Sequence, residues 1–280
     1  MADAAAAVSA LRRIAFLLER AQEPSYRVRA FRRAAATIDA LPPADVAARA
    51  AAGTLRELEG IGEVTESVIL QALAGGVPDY VTKLEERADA TPPPVAGRAL
   101  RELLRGDCHV HSNWSDGGSP IQEMAEAARD LGHEYIVLTD HSPRLTVANG
   151  LSPERLREQL AIVADLNAEL APFRILTGIE CDILEDGALD QEDELLAALD
   201  VVVASVHSKL RSDADAMTAR MVTAVANPHT DILGHCTGRI VVGRGRPEST
   251  FDAELVFAAC REFSTAVEIN SRPERLDPPR

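Results

Sequence analysis

No apolar run in this 280-residue chain approaches the roughly 20 residues that a helix needs to cross a bilayer, which argues against a membrane span. The opening residues, MADAAAAVSALRR, lack a basic segment followed by a long apolar stretch, so no secretion signal is read there. Cysteine is scarce: Cys108, Cys181, Cys236 and Cys260 stand singly, with no CxxC pair. That excludes a short disulfide-stapled scaffold and predicts reduced thiols in a cytoplasmic protein. Lysine is rarer still. Of 29 basic residues only Lys83 and Lys209 are lysine.

The charge is unevenly spread. Residues 1–105 hold 14 Arg/Lys and 14 Asp/Glu, whereas residues 106–280 hold 15 and 30, so the second part carries the whole net charge of −15. An acidic region of this kind does not bind nucleic acid by charge alone, because neutralising phosphates requires Lys and Arg. It is compatible with a carboxylate-bearing metal site, whose cations offset part of the charge.

Apolar residues recur at helical spacing over residues 7–21 and 25–40, ending at Leu41-Pro42-Pro43. Further helices are expected at 44–52, 54–58, 63–73 and 78–88, before the stiff run Thr91-Pro92-Pro93-Pro94. The pattern predicts a small all-helical domain over residues 1–90, a linker at 91–105 and a second domain at 106–280. In the second domain short apolar runs alternate with amphipathic stretches. The runs Asp107–His111, Tyr135–Asp140, Arg174–Asp182, Val201–His207, Ile232–His235 and Ala266–Asn270 read as strands, with helices at 120–131, 152–171, 190–199, 213–226 and 251–262. Strict β/α alternation with nearly continuous apolar strands predicts a parallel sheet. No GxGxxG turn is present, which favours a barrel over a dinucleotide-binding fold, with an open sheet as the alternative.

The strand list carries a chemical regularity. His109 and His111 close the first strand, with Asp116 behind them, and Asp140 and His141 close the second. Glu180 and Asp182 lie on the third strand, His207 ends the fourth, His235 the fifth, and Glu268 and Asn270 the sixth. The C-terminal strand ends are where parallel α/β barrels place their active sites. Alternation along a strand points both imidazoles of the His-x-His pair to one side. Mixed His nitrogens and carboxylate oxygens suit Zn²⁺, Mn²⁺ or Fe²⁺, and their number exceeds one tetrahedral centre, so two or three divalent ions are expected. Clustered metals of this kind activate water for in-line attack on a phosphate ester. Lys209, two residues past His207, is a candidate phosphate anchor, and Arg239, Arg244 and Arg246 follow His235 in a Gly-rich loop that could grip a phosphodiester.

The segments GDCHVHSNWSDG, YIVLTDHS, GIECDI, ASVHS and DILGHCTGR closely resemble the PHP (polymerase and histidinol phosphatase) family, in particular the PHP domain attached to bacterial family X DNA polymerases. The resemblance covers residues 106–280 and implies an α/β fold, a (β/α)7-type barrel with a trinuclear metal site. It makes His109, His111, Asp116, His141, Glu180, His207 and His235 look like metal ligands, and Asp140, Glu268 and Asn270 like supporting groups that orient them. One feature departs from the family pattern. No seventh strand with an Asp-x-His pair follows Glu268-Ile269-Asn270, so the barrel is expected to lack its last strand, either as a fragment of a longer protein or as a shortened form.

Leu55-Arg-Glu-Leu-Glu-Gly60-Ile-Gly62 ahead of a helix is a helix-hairpin-helix pattern, in which glycines let backbone N–H groups approach a DNA phosphate. Arg29, Arg32 and Arg33 fall near one helical face and could meet a DNA backbone. With the surrounding segment from Glu23 to Ala35, this part resembles the small N-terminal domain of family X polymerases. Val64 and Val68 stand where lyase-active members carry lysine, so no lyase activity is expected, and no paired aspartates for nucleotidyl transfer occur in residues 1–105. The expected activity is metal-dependent hydrolysis of phosphate esters at DNA ends, as a 3′–5′ exonuclease or 3′ phosphatase. The alternatives are a phosphatase of small phosphomonoesters of the histidinol-phosphatase type, and a non-catalytic DNA-binding protein with a degenerate metal site.

Overall fold

In the computed structural model, which describes residues 4–89 and 97–279, Leu11, Ile14 and Leu18 fall on one face of α1 (Ala4–Arg20) and are fully buried. Their spacing of three and four residues aligns them along a single stripe. That stripe meets Phe31 and Ile38 of α2 (Ser25–Asp39), Val46 of α3 (Pro43–Ala52) and Ile69 of α4 (Glu63–Leu73) in one core. Tyr80 of α5 (Asp79–Asp89) stacks on Phe31 with ring centres 5.5 Å apart. The helix expected at 54–58 is a single 3₁₀ turn, Leu55–Glu57, because the chain must reverse at Gly60, whose φ of +84° a side chain rarely tolerates.

The chain divides into two units, Met1–Arg101 and Glu102–Arg280. Part of the expected linker is a short helix, α6 (Arg98–Leu103), built from good helix formers, while Thr91-Pro92-Pro93-Pro94 lies outside the described residues.

The second unit is a parallel sheet of six strands in sequence order: β1 (Gly106–Val110), β2 (Tyr135–Leu138), β3 (Arg174–Asp182), β4 (Val201–Ser205), β5 (Ile232–Leu233) and β6 (Ala266–Val267). The connecting helices are α7 (Ile121–Asp130), α8 (Pro153–Leu170), α9 (Asp193–Leu196), α10 (Ala214–Val225) and α11 (Ala253–Glu262). Val202, Val203 and Ala204 are consecutive and all buried, as a strand covered on both faces requires. The sheet curls, because Glu268, just past β6, reaches His109 of β1 at 2.9 Å although the two strands lie at opposite ends of the sheet order. The result is a half-barrel of (β/α) type, which follows the all-helical unit in sequence. Among the described residues it has six strands.

Most strands stop short of the expected ends. The ladder leaves His111, Asp140, His207, His235 and Asn270 beyond its last rungs. A carboxylate of the neighbouring strand takes over there. Asp140 accepts the N–H of Ser112, Asp182 that of His207, and Glu268 that of His235. Backbone donors that would continue the ladder are therefore satisfied by side chains, and the strand ends turn towards the site.

Candidate metal centre

Five imidazoles form a closed ring above the strand ends. Ring centres are 5.2 Å apart for His109–His111, 4.5 Å for His111–His141, 5.1 Å for His141–His207, 5.3 Å for His207–His235 and 5.6 Å for His235–His109. The carboxylate of Glu180, almost fully buried, sits inside this ring. One oxygen, Oε2, lies 3.3 Å from His109 Nε2, 3.3 Å from His111 Nε2 and 2.9 Å from His141 Nδ1. The other, Oε1, lies 3.1 Å from His207 Nε2 and 2.8 Å from His235 Nε2. Asp116 stands at the open side, with Oδ1 3.4 Å from His111 Nδ1 and 3.5 Å from His141 Nε2.

Two of these imidazoles are oriented from outside. His109 Nδ1 bonds Glu268 at 2.9 Å, and His207 Nδ1 bonds Asp182 at 2.9 Å. A carboxylate acceptor places the ring proton on Nδ1, so the Nε2 lone pairs of both rings face the oxygens of Glu180. Lone pair against lone pair at 3.1–3.3 Å is repulsive unless a proton or a metal ion lies between them. Glu180 Oε1 and the Nδ1 atoms of His111, His141 and His235 are buried without a properly directed hydrogen bond, although charged neighbours are close. Donor atoms that converge at short range without hydrogen-bond geometry fit a shared cation. Three overlapping groups have ligand atoms within 4.8 Å of one another: His109–His111–Glu180, His111–Asp116–His141 and His141–Glu180–His207.

The electrostatics of the ion-free cluster point the same way. Burial is the strongest influence on His109 and disfavours its charge, but Glu180 and Glu268 together push its pKa up to about 10. His141 is likewise raised to about 9, against burial, by Asp116 and Glu180. Burial and then the neighbouring imidazoles lower His111 to about 4, despite Glu180. Burial alone would raise Glu180, yet the imidazoles, His109 first, hold it well below the usual carboxylate range. Such a cluster retains positive charge inside a buried ring of nitrogens.

The supporting residues take different places. Glu268 binds His109 and the backbone of His235, and Asn270 Nδ2 donates to Glu268 at 3.2 Å. Asp140 touches no imidazole. Its carboxylate takes Ser112 Oγ at 2.6 Å, Ser115 Oγ at 2.5 Å and Gln159 Nε2 at 2.7 Å, which makes it an anchor for the loop after β1 rather than a group that sets a histidine tautomer. Asp182, read from sequence as one of the acids on the third strand but not placed among the metal ligands, orients His207. The available signal was its two-residue spacing from Glu180, which puts both on one face of β3.

Lys209 is exposed on the loop after His207, 3.9 Å from Glu185. Arg239 does not extend into the site. Its guanidinium is bound to the carbonyls of Arg275 and Leu276 and to Glu248, so it ties down the segment after β6. Cys236 is buried, which pushes its thiol up to about 12 and leaves it a core residue. In the helical unit Arg32 pairs with Glu19 at 2.5 Å and Arg33 with Glu59, while Arg29 is exposed. Gly60 packs on the Arg33 side chain, and Gly62 donates its N–H to Thr65 Oγ1 at 2.8 Å, so this donor serves the helix start rather than a free anion site.

Residues 3–78 match the helix-hairpin-helix domain and residues 107–265 the PHP domain. Over 174 residues the chain is 46% identical to the DNA polymerase/3′-5′ exonuclease PolX of Bacillus subtilis, covering 62% of this chain and 30% of that protein. It is 31% identical over 170 residues to a protein named a probable phosphatase from Thermoanaerobacter sp., covering 59% of this chain and 64% of that one. A protein of the same name from Caldanaerobacter subterraneus is 30% identical over 182 residues, covering 63% and 66%. The chain thus spans under a third of the polymerase and under two thirds of the first phosphatase.

Proposed function

We propose that this chain, which belongs to the PHP domain family, is a metal-dependent phosphoesterase that hydrolyses phosphate esters at DNA ends, as a 3′–5′ exonuclease or 3′ phosphatase. The observation that carries the reading is Glu180 enclosed by five imidazoles, two of which are held with inward lone pairs by outer carboxylates. His109, His111, Asp116, His141, Glu180, His207 and His235 would hold two or three divalent ions, with Zn²⁺, Mn²⁺ or Fe²⁺ matching the donor set. Bound there, the ions would lower the pKa of water and offset charge on the phosphate. Glu268 and Asp182 hold a ring proton of His109 and His207 on Nδ1, which leaves Nε2 as the nitrogen directed at the ions. Lys209, exposed two residues past His207, would supply a point charge for a phosphate oxygen. The attacking water oxygen bonds phosphorus as the ester P–O bond breaks, and the leaving oxygen takes up a proton.

DNA ends are favoured because a helix-hairpin-helix unit precedes the PHP unit in the same chain. A second reading, a phosphatase of small phosphomonoesters, draws on the pairing of hairpin cations: Arg33 with Glu59, and Arg56 with Glu66 at 2.5 Å. Hydrolysis of 3′-labelled and 3′-phosphorylated oligonucleotides, next to a panel of small monoesters, separates the two. Release of nucleotides or 3′-phosphate that vanishes in His207→Ala supports the first reading. Turnover of small monoesters alone rejects it.

A further inference from the structure

Asp116 is the most exposed of the seven candidate ligands, with 52% of its side chain accessible, and it sits in a loop rather than on a strand. Something must hold that loop against the imidazoles. Resting on the metal-centre reading above, we infer that α8 does so through two side chains one turn apart, Arg155 and Gln159, which act as positioning residues for the loop 112–116 and so for Asp116.

Gln159 is buried and donates to Asp140 at 2.7 Å, and Asp140 in turn accepts from the backbone and hydroxyl of Ser112 and from the hydroxyl of Ser115. Arg155 grips the middle of the same loop. One amino group donates to the carbonyls of Asn149 at 2.8 Å and Gly150 at 3.1 Å, and the other to the carbonyl of Trp114. Its guanidinium carbon lies 5.8 Å from the centre of the Trp114 ring, and Asn149 Nδ2 adds a 3.0 Å bond to the Trp114 carbonyl. Gly150 is pressed against the chain next to His141. A Cβ there would stand 1.9 Å from the Ser142 carbonyl oxygen. Leu151 N–H, one residue on, donates to the His141 carbonyl at 2.7 Å.

Arg155 therefore couples the loop bearing Asp116 to the segment bearing His141, and Asp116 lies between His111 and His141. The guanidinium of Arg155 donates to main-chain carbonyls, so a planar fork is needed to span three acceptors on two loops. Residues at i and i+4 share one face of a helix, which lets both grips come from a single rigid element. Neither side chain touches a candidate ligand.

The test uses Arg155→Lys in the full chain, which keeps the charge and removes the fork, with Arg155→Ala and Asp116→Asn beside it. Mn²⁺ binding is followed by titration calorimetry, and loop order by acrylamide quenching of Trp114, the single tryptophan of the chain. Quenching is expected to rise in Arg155→Lys, and one class of Mn²⁺ sites should weaken by about 10–100-fold, the usual cost of losing an outer partner. Adding Arg155→Lys to Asp116→Asn should cost nothing further at that class, because the arginine acts there only through the ligand already removed. Unchanged quenching, unchanged Mn²⁺ affinity in a folded Arg155→Lys, or additive losses in the double variant would each overturn the inference. A wild-type chain that takes up no Mn²⁺ rejects the metal reading instead, and Trp114 quenching alone then decides whether Arg155 positions the loop.

Discussion

The two units handle charge in opposite ways. In the helical unit acids meet arginines at the surface: Arg12–Asp39 at 3.0 Å, Arg13–Glu85 at 3.0 Å, Arg32–Glu19 at 2.5 Å and Arg33–Glu59. Water screens these pairs, and each contributes about 0–1 kcal/mol. In the α/β unit the decisive acids are buried and face imidazoles instead. Glu180 sits inside the ring of five histidines, Asp182 and the half-buried Glu268 bond the ring from outside, and among the described residues no arginine pairs with Glu180. An imidazole, unlike a guanidinium, can surrender its proton to make room for a metal ion. The same residue class thus forms screened surface pairs in one unit and a cluster that could hold a metal ion in the other.

The sharpest way to break this contrast is Glu180→Gln. Losing the carboxylate that all five imidazoles share should abolish metal uptake and hydrolysis, a larger effect than the roughly 10–100-fold expected for an outer group. Metal content and phosphate release check it, and retained metal would show that Glu180 is not the centre. Next come Asp182→Asn and Glu268→Gln, each of which removes the acceptor that fixes a histidine proton on Nδ1. Metal affinity should fall about 10–100-fold with secondary structure intact, measured by competition with a chromophoric chelator.

A pH scan tests the charge argument directly. His109 and His141 stand at about 10 and about 9 in the ion-free chain, against an ordinary value of 6.5. A raised folded-state pKa stabilises fully below the unfolded value and is lost as pH climbs through the folded one. The melting temperature of the metal-free chain should therefore fall between pH 6.5 and 10. Metal affinity should rise over the same window as protons leave. A flat thermal profile would contradict the raised values. The smallest effect is expected in the helical unit, where Glu59→Ala should shift stability by less than about 1 kcal/mol. If the hairpin meets DNA, removing that acid should tighten binding, measured by fluorescence anisotropy, and leave small-ester hydrolysis unchanged.

Much of the architecture could be read from residue types alone. Alternating apolar runs and amphipathic stretches predict six parallel strands, and the structure has them in sequence order. Strand ends were less legible, because periodicity does not register that Asp182 and Glu268 cap the backbone of His207 and His235. The structure gathers the five strand-end histidines around Glu180, but the supporting groups depend on contacts between distant segments. Asp140 reads as a partner for a histidine yet holds Ser112 and Ser115, and Arg239 reads as an anchor yet binds carbonyls of the last segment. Arg155 carries no signature at all, since its acceptors are main-chain atoms on two other loops.

The central claim is tested most directly by elemental mass spectrometry on the 280-residue chain purified without added metal. The account predicts two or three Zn, Mn or Fe ions per chain, lost on Glu180→Gln. A wild-type chain that carries none and takes up none from a metal-containing buffer would contradict it.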